Sequence, residues 1–176
     1  MTTNVTVMKN LDPSEYAPYF KQYIDQAGEG EIHDLLQKQK VKLISFYNGI
    51  SAEDATTTHP PYTWTIAQVL GHLIDTEKIL GCRAHRIACG DQTDLPGFDQ
   101  DALVANYDYS KTETSDLVLE FEALRMTNQA FFRRLNPEAW LNQGNCDQNK
   151  MSVRALAFLM VGHANHHLEI LKQRLA

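Results

Sequence analysis

The chain carries the segment SVRALAFLMVGHANHHLEIL at residues 152–171. Apolar residues recur along it at spacings of three and four, on a line through Val153, Leu156 and Met160, and this is the period of an amphipathic helix. Ser152 is suited to cap its N-terminus. The segment therefore predicts a helix that runs nearly to the end of the sequence, with this apolar line facing the interior.

The stretches before this helix show the same period and lack strand-type alternation. They predict a short first helix over about 13–26, and longer helices over 32–48, from Thr63 or Thr65 to Gly90, and over 115–135. Between the last two, the span 91–112 is rich in Asp, Gly and Pro, and it is long enough to cross a bundle with one short helical turn. We expect an all-α fold: a four-helix bundle with a short additional N-terminal helix and a long crossover connection, forming one domain over residues 1–176.

The charge and the hydropathy pattern exclude several classes of function. The formal net charge is −6, and Lys and Arg are scattered rather than clustered, which disfavours a nucleic-acid partner. No apolar stretch approaches the roughly 20 residues of a membrane span, and the start MTTNVTVMKN does not resemble a secretory signal. We therefore expect neither nucleic-acid nor membrane binding.

The three cysteines, Cys82, Cys89 and Cys146, form a sparse, odd-numbered set without a CxxC pair. Cys82 and Cys89 lie seven residues apart on one predicted helix, a rise of about 10 Å, which exceeds the Cα separation of about 7 Å that a disulfide tolerates. These cysteines are typical of a reducing compartment, so we expect a cytoplasmic protein.

The last helix contains GHANHH, in which His163 and His167 are four residues apart and lie on the same face. They share the inward apolar line, and two imidazoles so placed can bind one ion. A pair of this kind is also compatible with an ordinary helix surface, and both interpretations stay open at this point. His166 is rotated by about 100° from His167, so we do not include it as a ligand.

His72, on the predicted third helix, is the candidate third ligand. The stripe of residues on the same helical face as His72 is apolar near Val69 and polar further along, at Thr76 and Arg83. Such a stripe suits a pocket that opens to water at one end. Taken alone, His72 is better explained as a hydrogen-bonded core histidine. For the four other histidines, an exposed surface position is favoured: His33, His59, His85 and His166.

Two known metal patterns are excluded. The zinc-protease helix needs Glu directly after its first His, whereas Ala164 follows His163 here. The di-iron bundle needs Glu-x-x-His pairs on two helices, and the sequence has none. A mononuclear three-histidine site remains compatible with the pattern.

Together, WTIAQVLGHLIDTE, residues 64–77, and the segment at 152–171 resemble the DinB family. The resemblance extends to EYAPYFKQYID at 15–25 and RIACGDQTDLPGFDQD at 86–101. It implies a four-helix bundle, commonly a homodimer, with a metal site whose ligands match His72, His163 and His167. Relatives in the wider superfamily include transferases and isomerases that use low-molecular-weight thiols.

Three imidazoles leave at least one coordination position open, as in catalytic rather than structural zinc sites. Zn²⁺ and Ni²⁺ both suit imidazole. We therefore expect a metal-dependent enzyme for a small-molecule substrate, either a thiol-dependent S-transferase or a hydrolase, with a low-molecular-weight thiol as a possible second cofactor. The alternative is a non-catalytic metal-binding or stress-associated interaction protein.

Four charged residues lie near the predicted ligands in sequence. Asp75 and Glu169 are positioned to orient a ligand imidazole, although surface charges are the favoured interpretation. Arg83 and Arg86 can pair with an anionic substrate, although a salt bridge to Glu77 or to another helix is favoured.

Overall fold

The computed structural model describes residues 6–175, so the first part of the predicted polar N-terminal tail lies outside the described residues. Within that range the chain forms seven α-helices: α1 (Lys21–Asp25), α2 (Ile32–Asn48), α3 (Ala52–Thr56), α4 (Ile66–Ala88), α5 (Gln100–Ala105), α6 (Thr114–Arg133) and α7 (Val153–Arg174). Four 3-10 helices lie at Pro13–Glu15, Pro18–Phe20, Tyr109–Lys111 and Pro137–Leu141. The predicted four-helix bundle is confirmed, with α2, α4, α6 and α7 as its long helices.

Side chains that the sequence offered as caps begin two of the long helices, α4 and α7. The hydroxyl of Thr65 accepts a hydrogen bond from the Gln68 backbone N–H, and the Gln68 side chain accepts one from the Thr65 backbone N–H. This capping box starts α4 and decides between the two predicted starts, Thr63 and Thr65. Ser152 caps α7 by accepting from the Ala155 N–H, as predicted.

The predicted short N-terminal helix is present, but its α-helical part does not extend over the whole predicted span of about 13–26. The chain makes two 3-10 turns, and α1 follows over only Lys21–Asp25. Ala17 precedes Pro18 and is extended, at φ −68° and ψ 145°. Proline disfavours the helical conformation of the residue before it and has no N–H to continue a helix.

A small hairpin was not predicted from the sequence. Strands β1 (Gln143–Cys146) and β2 (Asn149–Ser152) pair antiparallel, with Gly144 opposite Met151. At four residues each, they are too short to show an alternating pattern. The turn residues Asp147 and Gln148 have φ of 53° and 60°, the left-handed conformation of a tight hairpin turn.

The crossover between α4 and α6 carries α5 and one 3-10 turn, and it is tied to the hairpin turn. Leu95 N–H donates to the Asn145 carbonyl, and Asp147 N–H donates to the Leu95 carbonyl, at 3.0 and 2.7 Å. These bonds hold the segment after Leu95 beside the C-terminal half of α4. The predicted long crossover connection is therefore present.

The core lies where α4 packs on α6 and α7, and α2 packs on the same two helices. Between α2, α4 and α6 it contains a fully buried cation. Arg125 donates to both carboxylate oxygens of Glu77, at 2.8 and 3.0 Å, to the Gln39 side chain at 2.6 Å, and to the Leu36 carbonyl. Asn128 donates to the same Glu77 carboxylate. We call these residues, Gln39, Glu77, Arg125 and Asn128, the arginine cluster.

No helix within residues 6–175 is both long and apolar enough to cross a membrane.

Candidate metal centre

Three histidine side chains meet between α4 and α7. The Nε2 atom of His163 lies 3.1 Å from Nε2 of His72 and 3.1 Å from Nε2 of His167. One nitrogen from each ring lies within 4.8 Å of the others, and in the described part of the chain this is the one group of three or more His, Cys, Asp or Glu side chains that could hold a metal ion. The structure thus brings together the three residues that the sequence singled out. We call them the histidine cluster.

Two glycines permit the close packing that brings these rings together, and each directly precedes a histidine. A Cβ at Gly162 would overlap the backbone carbonyl of Tyr23, and a Cβ at Gly71 would overlap the ring of Tyr109. A larger residue at either position would therefore push a neighbouring element away from His163 or His72. Where a neighbouring element lies this close to the backbone, only glycine fits without strain.

Burial keeps the three imidazoles neutral. It lowers the pKa of His72 to about 4 and that of His167 to about 3. Burial also lowers the pKa of His163 well below its ordinary value, and the neighbouring His167 and His72 lower it further. Neutral imidazole is the form that binds metal, so near neutral pH these rings need not lose a proton first.

The spacing of the nitrogens fits a small divalent ion. A tetrahedral site with metal–nitrogen bonds of about 2.05 Å has ligand nitrogens about 3.3 Å apart. The two Nε2–Nε2 separations of 3.1 Å are close to that value. The donor set consists of imidazoles alone, which suits Zn²⁺, Ni²⁺ and related ions rather than Ca²⁺ or Mg²⁺.

Aromatic residues that the sequence analysis did not assign to the site enclose the histidine cluster. The ring of Trp64 lies 5.1 Å from that of His72, and the ring of Tyr23 lies 5.6 Å from that of His163, centroid to centroid. Tyr23 belongs to a segment that carried the family resemblance. The helical period indicated neither contact, because Trp64 precedes the N-cap of α4 and Tyr23 lies on α1, far in sequence from α7.

A cavity of about 340 Å³ opens from the histidine cluster. Two of the three histidines and side chains from α1, α4, α7, the crossover and the hairpin line it: Tyr19, Phe20, Tyr23, His72, Thr76, Leu80, Arg83, Gly97, Phe98, Gln100, Cys146, Asp147, Asn149, Leu159 and His163. Thr76 and Arg83 are the polar residues of the His72 stripe, so the predicted pocket on that stripe is present. The hairpin and the crossover, whose contribution was not predicted, form its far wall.

The other histidines lie outside the cluster. His166 contacts Gln26 and the Tyr23 ring instead. Of the four histidines expected to be exposed, His85 is exposed, whereas His33, His59 and His166 are partly buried. The expectation was wrong for those three; His33 contacts the Trp140 ring and His166 the Tyr23 ring, both from other elements of the fold.

The cysteines are free, as expected, with Cys82 and Cys89 exposed and Cys146 buried. Cys146 lies in the cavity lining. Burial raises the pKa of its thiol, although the nearby Arg83 lowers it in part. Cys146 is therefore a neutral thiol at physiological pH.

The expected salt bridge between Arg83 and Glu77 is wrong. Glu77 belongs to the arginine cluster, whereas Arg83 donates to the Pro96 carbonyl and contacts the Phe98 ring. Glu77 faces α6, while Arg83 faces the crossover. Arg86 does form an ion pair, with Asp91 at 2.6 Å.

The two carboxylates considered as supports for the imidazoles differ in burial. Glu169 is exposed and pairs with Lys172, as a surface charge does. Asp75 is buried, with Lys78 at 3.6 Å, so its assignment as a surface charge was wrong. Burial raises the pKa of Asp75, an effect that Lys78 partly offsets.

Fold and site together define a bundle protein whose long helices enclose a three-histidine cluster at the end of a cavity. The family model of the DinB superfamily matches residues 35–171, and the chain belongs to that superfamily. Among solved structures it is similar to YfiT from Bacillus subtilis, described as a probable metal-dependent hydrolase with an unusual four-helix bundle topology. The TM-score is 0.70 at 17% identity, over 91% of each chain, which confirms the bundle topology. No curated protein matches the chain.

Proposed function

We propose that His72, His163 and His167 bind one divalent metal ion, zinc or nickel, and that the protein is a metal-dependent enzyme acting on a small molecule in the adjacent cavity. The observation that carries this proposal is the convergence of three neutral imidazoles, one buried and two partly buried, at the wall of an open cavity. Three protein ligands leave room for an exogenous one. An ion held there would supply Lewis acidity, which lowers the pKa of the nucleophile that it contacts.

We infer further that the nucleophile is a low-molecular-weight thiol, which makes the protein an S-transferase. A thiol ionises with an ordinary pKa of about 8.5, whereas water has a pKa of about 15.7. Among the described residues that line the cavity, Asp147 is the one carboxylate, and it lies on the hairpin turn against Gly97. A lining so poor in general bases suits a nucleophile that ionises easily.

Tyr23 is suited to act on the leaving group or on the substrate. Burial, and to a smaller extent Tyr19, raises the pKa of Tyr23 to about 12. Its hydroxyl therefore keeps its proton near neutral pH and can donate a hydrogen bond.

The second candidate is a hydrolase, which the description of YfiT favours. Both candidates share the histidine cluster and differ in the nucleophile. A non-catalytic metal-binding protein is the remaining alternative.

Metal analysis followed by Co²⁺ substitution tests these proposals. We expect one ion per chain, and a new sulfur-to-metal charge-transfer band in the visible spectrum when a small thiol is added. A thiol-dependent turnover of electrophilic acceptors would then identify the transferase. A spectrum unchanged by saturating thiol would contradict the thiol proposal, and less than stoichiometric metal would contradict the metal site itself.

A further inference from the structure

Arg83 is a buried cation without a counter-charge. It is 7% exposed, and it donates one hydrogen bond of 2.6 Å from Nη2 to the Pro96 carbonyl. Its buried Nε atom has no hydrogen-bond partner, and Arg83 forms no ion pair with a described residue. A guanidinium has five N–H donors, and burying its charge without a partner is costly.

Arg125, the other buried arginine among the described residues, shows how this fold compensates such a charge. It is fully buried and is held by both oxygens of Glu77 together with Gln39 and Leu36. Arg83 lies on the cavity wall instead, where a ligand can reach it. The contrast indicates that the anion that pairs with Arg83 comes from outside the chain.

Thr76 adds a second unpaired polar group to the same wall. Its side chain is buried, at 6% exposure, and its hydroxyl has no hydrogen-bond partner within residues 6–175. Thr76 lies one turn of α4 after His72 and two turns before Arg83. Two unpaired polar groups therefore follow the histidine cluster along one face of α4.

We propose that Arg83, with Thr76 between it and the histidine cluster, forms a subsite that binds a carboxylate of the small-molecule ligand. The ligand's carboxylate pairs with the guanidinium, and its other end lies at the histidines. The position of the ligand's other end at the histidines rests on the proposed function, whereas the carboxylate subsite does not.

The charges of the lining favour a monoanion. Arg83 is the one cation among the lining residues, and Asp147 places a negative charge in the same cavity. A dianion such as a phosphate monoester would be repelled more strongly by Asp147 than a carboxylate would be. A guanidinium fork also matches the planar carboxylate.

The length of α4 between His72 and Arg83 sets the size of the ligand. Arg83 follows His72 by eleven residues, about 16 Å along the helix axis. Both side chains lean toward the helix N-terminus, and the longer Arg83 side chain reaches further back, which shortens the distance between the charged and metal-binding groups. Apolar side chains line the space between them, Leu80 and Leu159 among others. A ligand with an apolar middle of several atoms and a terminal carboxylate fits this arrangement.

Binding of hexanoate and hexanamide to the metal-free protein tests the subsite, because the two probes differ in the terminal group. Charge-assisted hydrogen bonds predict that hexanoate binds on the order of tenfold more tightly than hexanamide. In Arg83→Met this ratio should fall to about one. In Arg86→Met, the matched control, it should not change, since Arg86 is already paired with Asp91.

An unchanged ratio in Arg83→Met, or equal binding of both probes to the wild type, would overturn the proposal. If Arg83→Met does not fold, the wild-type NMR signal of the Arg83 Nε–H decides. Hexanoate should shift that signal and hexanamide should not, and no shift with hexanoate overturns the subsite. If the histidines bind no metal while the ratio still depends on Arg83, the proposed function fails and the subsite stands.

Two further probes distinguish which reactant carries the carboxylate. If the thiol carries it, 6-mercaptohexanoate should displace hexanoate more strongly from the zinc-loaded protein than from the metal-free protein. If the electrophilic acceptor carries it, 6-bromohexanoate should displace hexanoate to the same extent from both. Displacement by neither probe would overturn the proposal that one ligand spans both ends of the cavity.

Discussion

The histidine cluster and the arginine cluster are both built on α4, with His72 and Glu77 five residues apart, yet they differ in what their polar atoms contact. In the arginine cluster, the cation and the carboxylate satisfy each other. In the histidine cluster, three neutral rings converge on one another at a cavity wall, with no counter-charge among them. Buried polar groups that satisfy each other's hydrogen bonds stabilise the packing of helices. Ring nitrogens that converge without such partners are instead suited to bind a ligand.

Removing members of the histidine cluster should give the largest effect. His163→Ala or His167→Ala should abolish stoichiometric metal binding, because each removes one of three ligands. His166→Ala is the matched control on the same turn, and it should keep nearly full metal content. Metal analysis of the purified variants measures this, and an equal loss in His166→Ala would show that the wrong face of α7 was chosen.

The arginine cluster should respond in stability rather than in metal binding. Arg125→Met leaves the Glu77 carboxylate buried without a counter-charge, which costs about 3–5 kcal/mol of unfolding free energy. Arg133→Met, at an exposed position of the same helix, should change it by less than about 0.5 kcal/mol.

Urea unfolding measures the stability of these variants, and metal analysis shows whether their metal binding is unchanged. The double variant Arg125→Met/Glu77→Leu should regain part of the lost stability, because it removes both charges. Equal stabilities of Arg125→Met and Arg133→Met would contradict a structural role for the cluster.

The histidine cluster should make the stability of the metal-free protein depend on pH. In the unfolded chain His72 binds a proton below about pH 6.5, whereas burial lowers its folded pKa to about 4. The unfolded state therefore binds more protons between these values, so stability is complete above pH 6.5 and falls as the pH falls toward 4. Each such histidine contributes about 1.4 kcal/mol per pH unit.

Unfolding of the metal-free wild type and His72→Asn across that range measures the contribution of His72. The variant should show the shallower dependence on pH. His85→Asn, which changes an exposed histidine, should keep the wild-type slope. Parallel curves for wild type and His72→Asn would contradict the lowered pKa.

Removing the metal should have the smallest effect on the fold. The core of four long helices does not depend on the histidine cluster, so chelation should leave the helical circular dichroism intact. Free metal at about a hundred times its dissociation constant should add about 2.7 kcal/mol. Unfolding on chelation would contradict the separation of the two clusters.

The helical period and the spacing of four residues between His163 and His167 were sufficient to predict the bundle and the inward face of α7. Grouping these two with His72 was less direct, since a single histidine on an apolar face is commonly a core residue. The family resemblance was what indicated His72 as the third ligand. Metal ligation, the homodimer and the cytoplasmic location stay predictions.

Two kinds of contact could not be predicted. Trp64 and Tyr23 reach the histidines from elements before α4 and far from α7, so their positions depend on how those elements pack. Glu77 was considered as a partner of Arg83, whereas the structure pairs it with Arg125, for which no short-range pattern gave a signal.

The sequence by itself determined the long helices, their caps at Thr65 and Ser152, and the faces that carry His72, His163 and His167, because these features depend on residues three or four positions apart. Only the tertiary structure decided that the hairpin closes the cavity, that Glu77 pairs with Arg125, and that Arg83 is left without a carboxylate. Those outcomes depend on contacts between residues well beyond one helical turn, 48 positions apart for Glu77 and Arg125, and a short-range pattern carries no information about which of several possible partners the fold brings into reach.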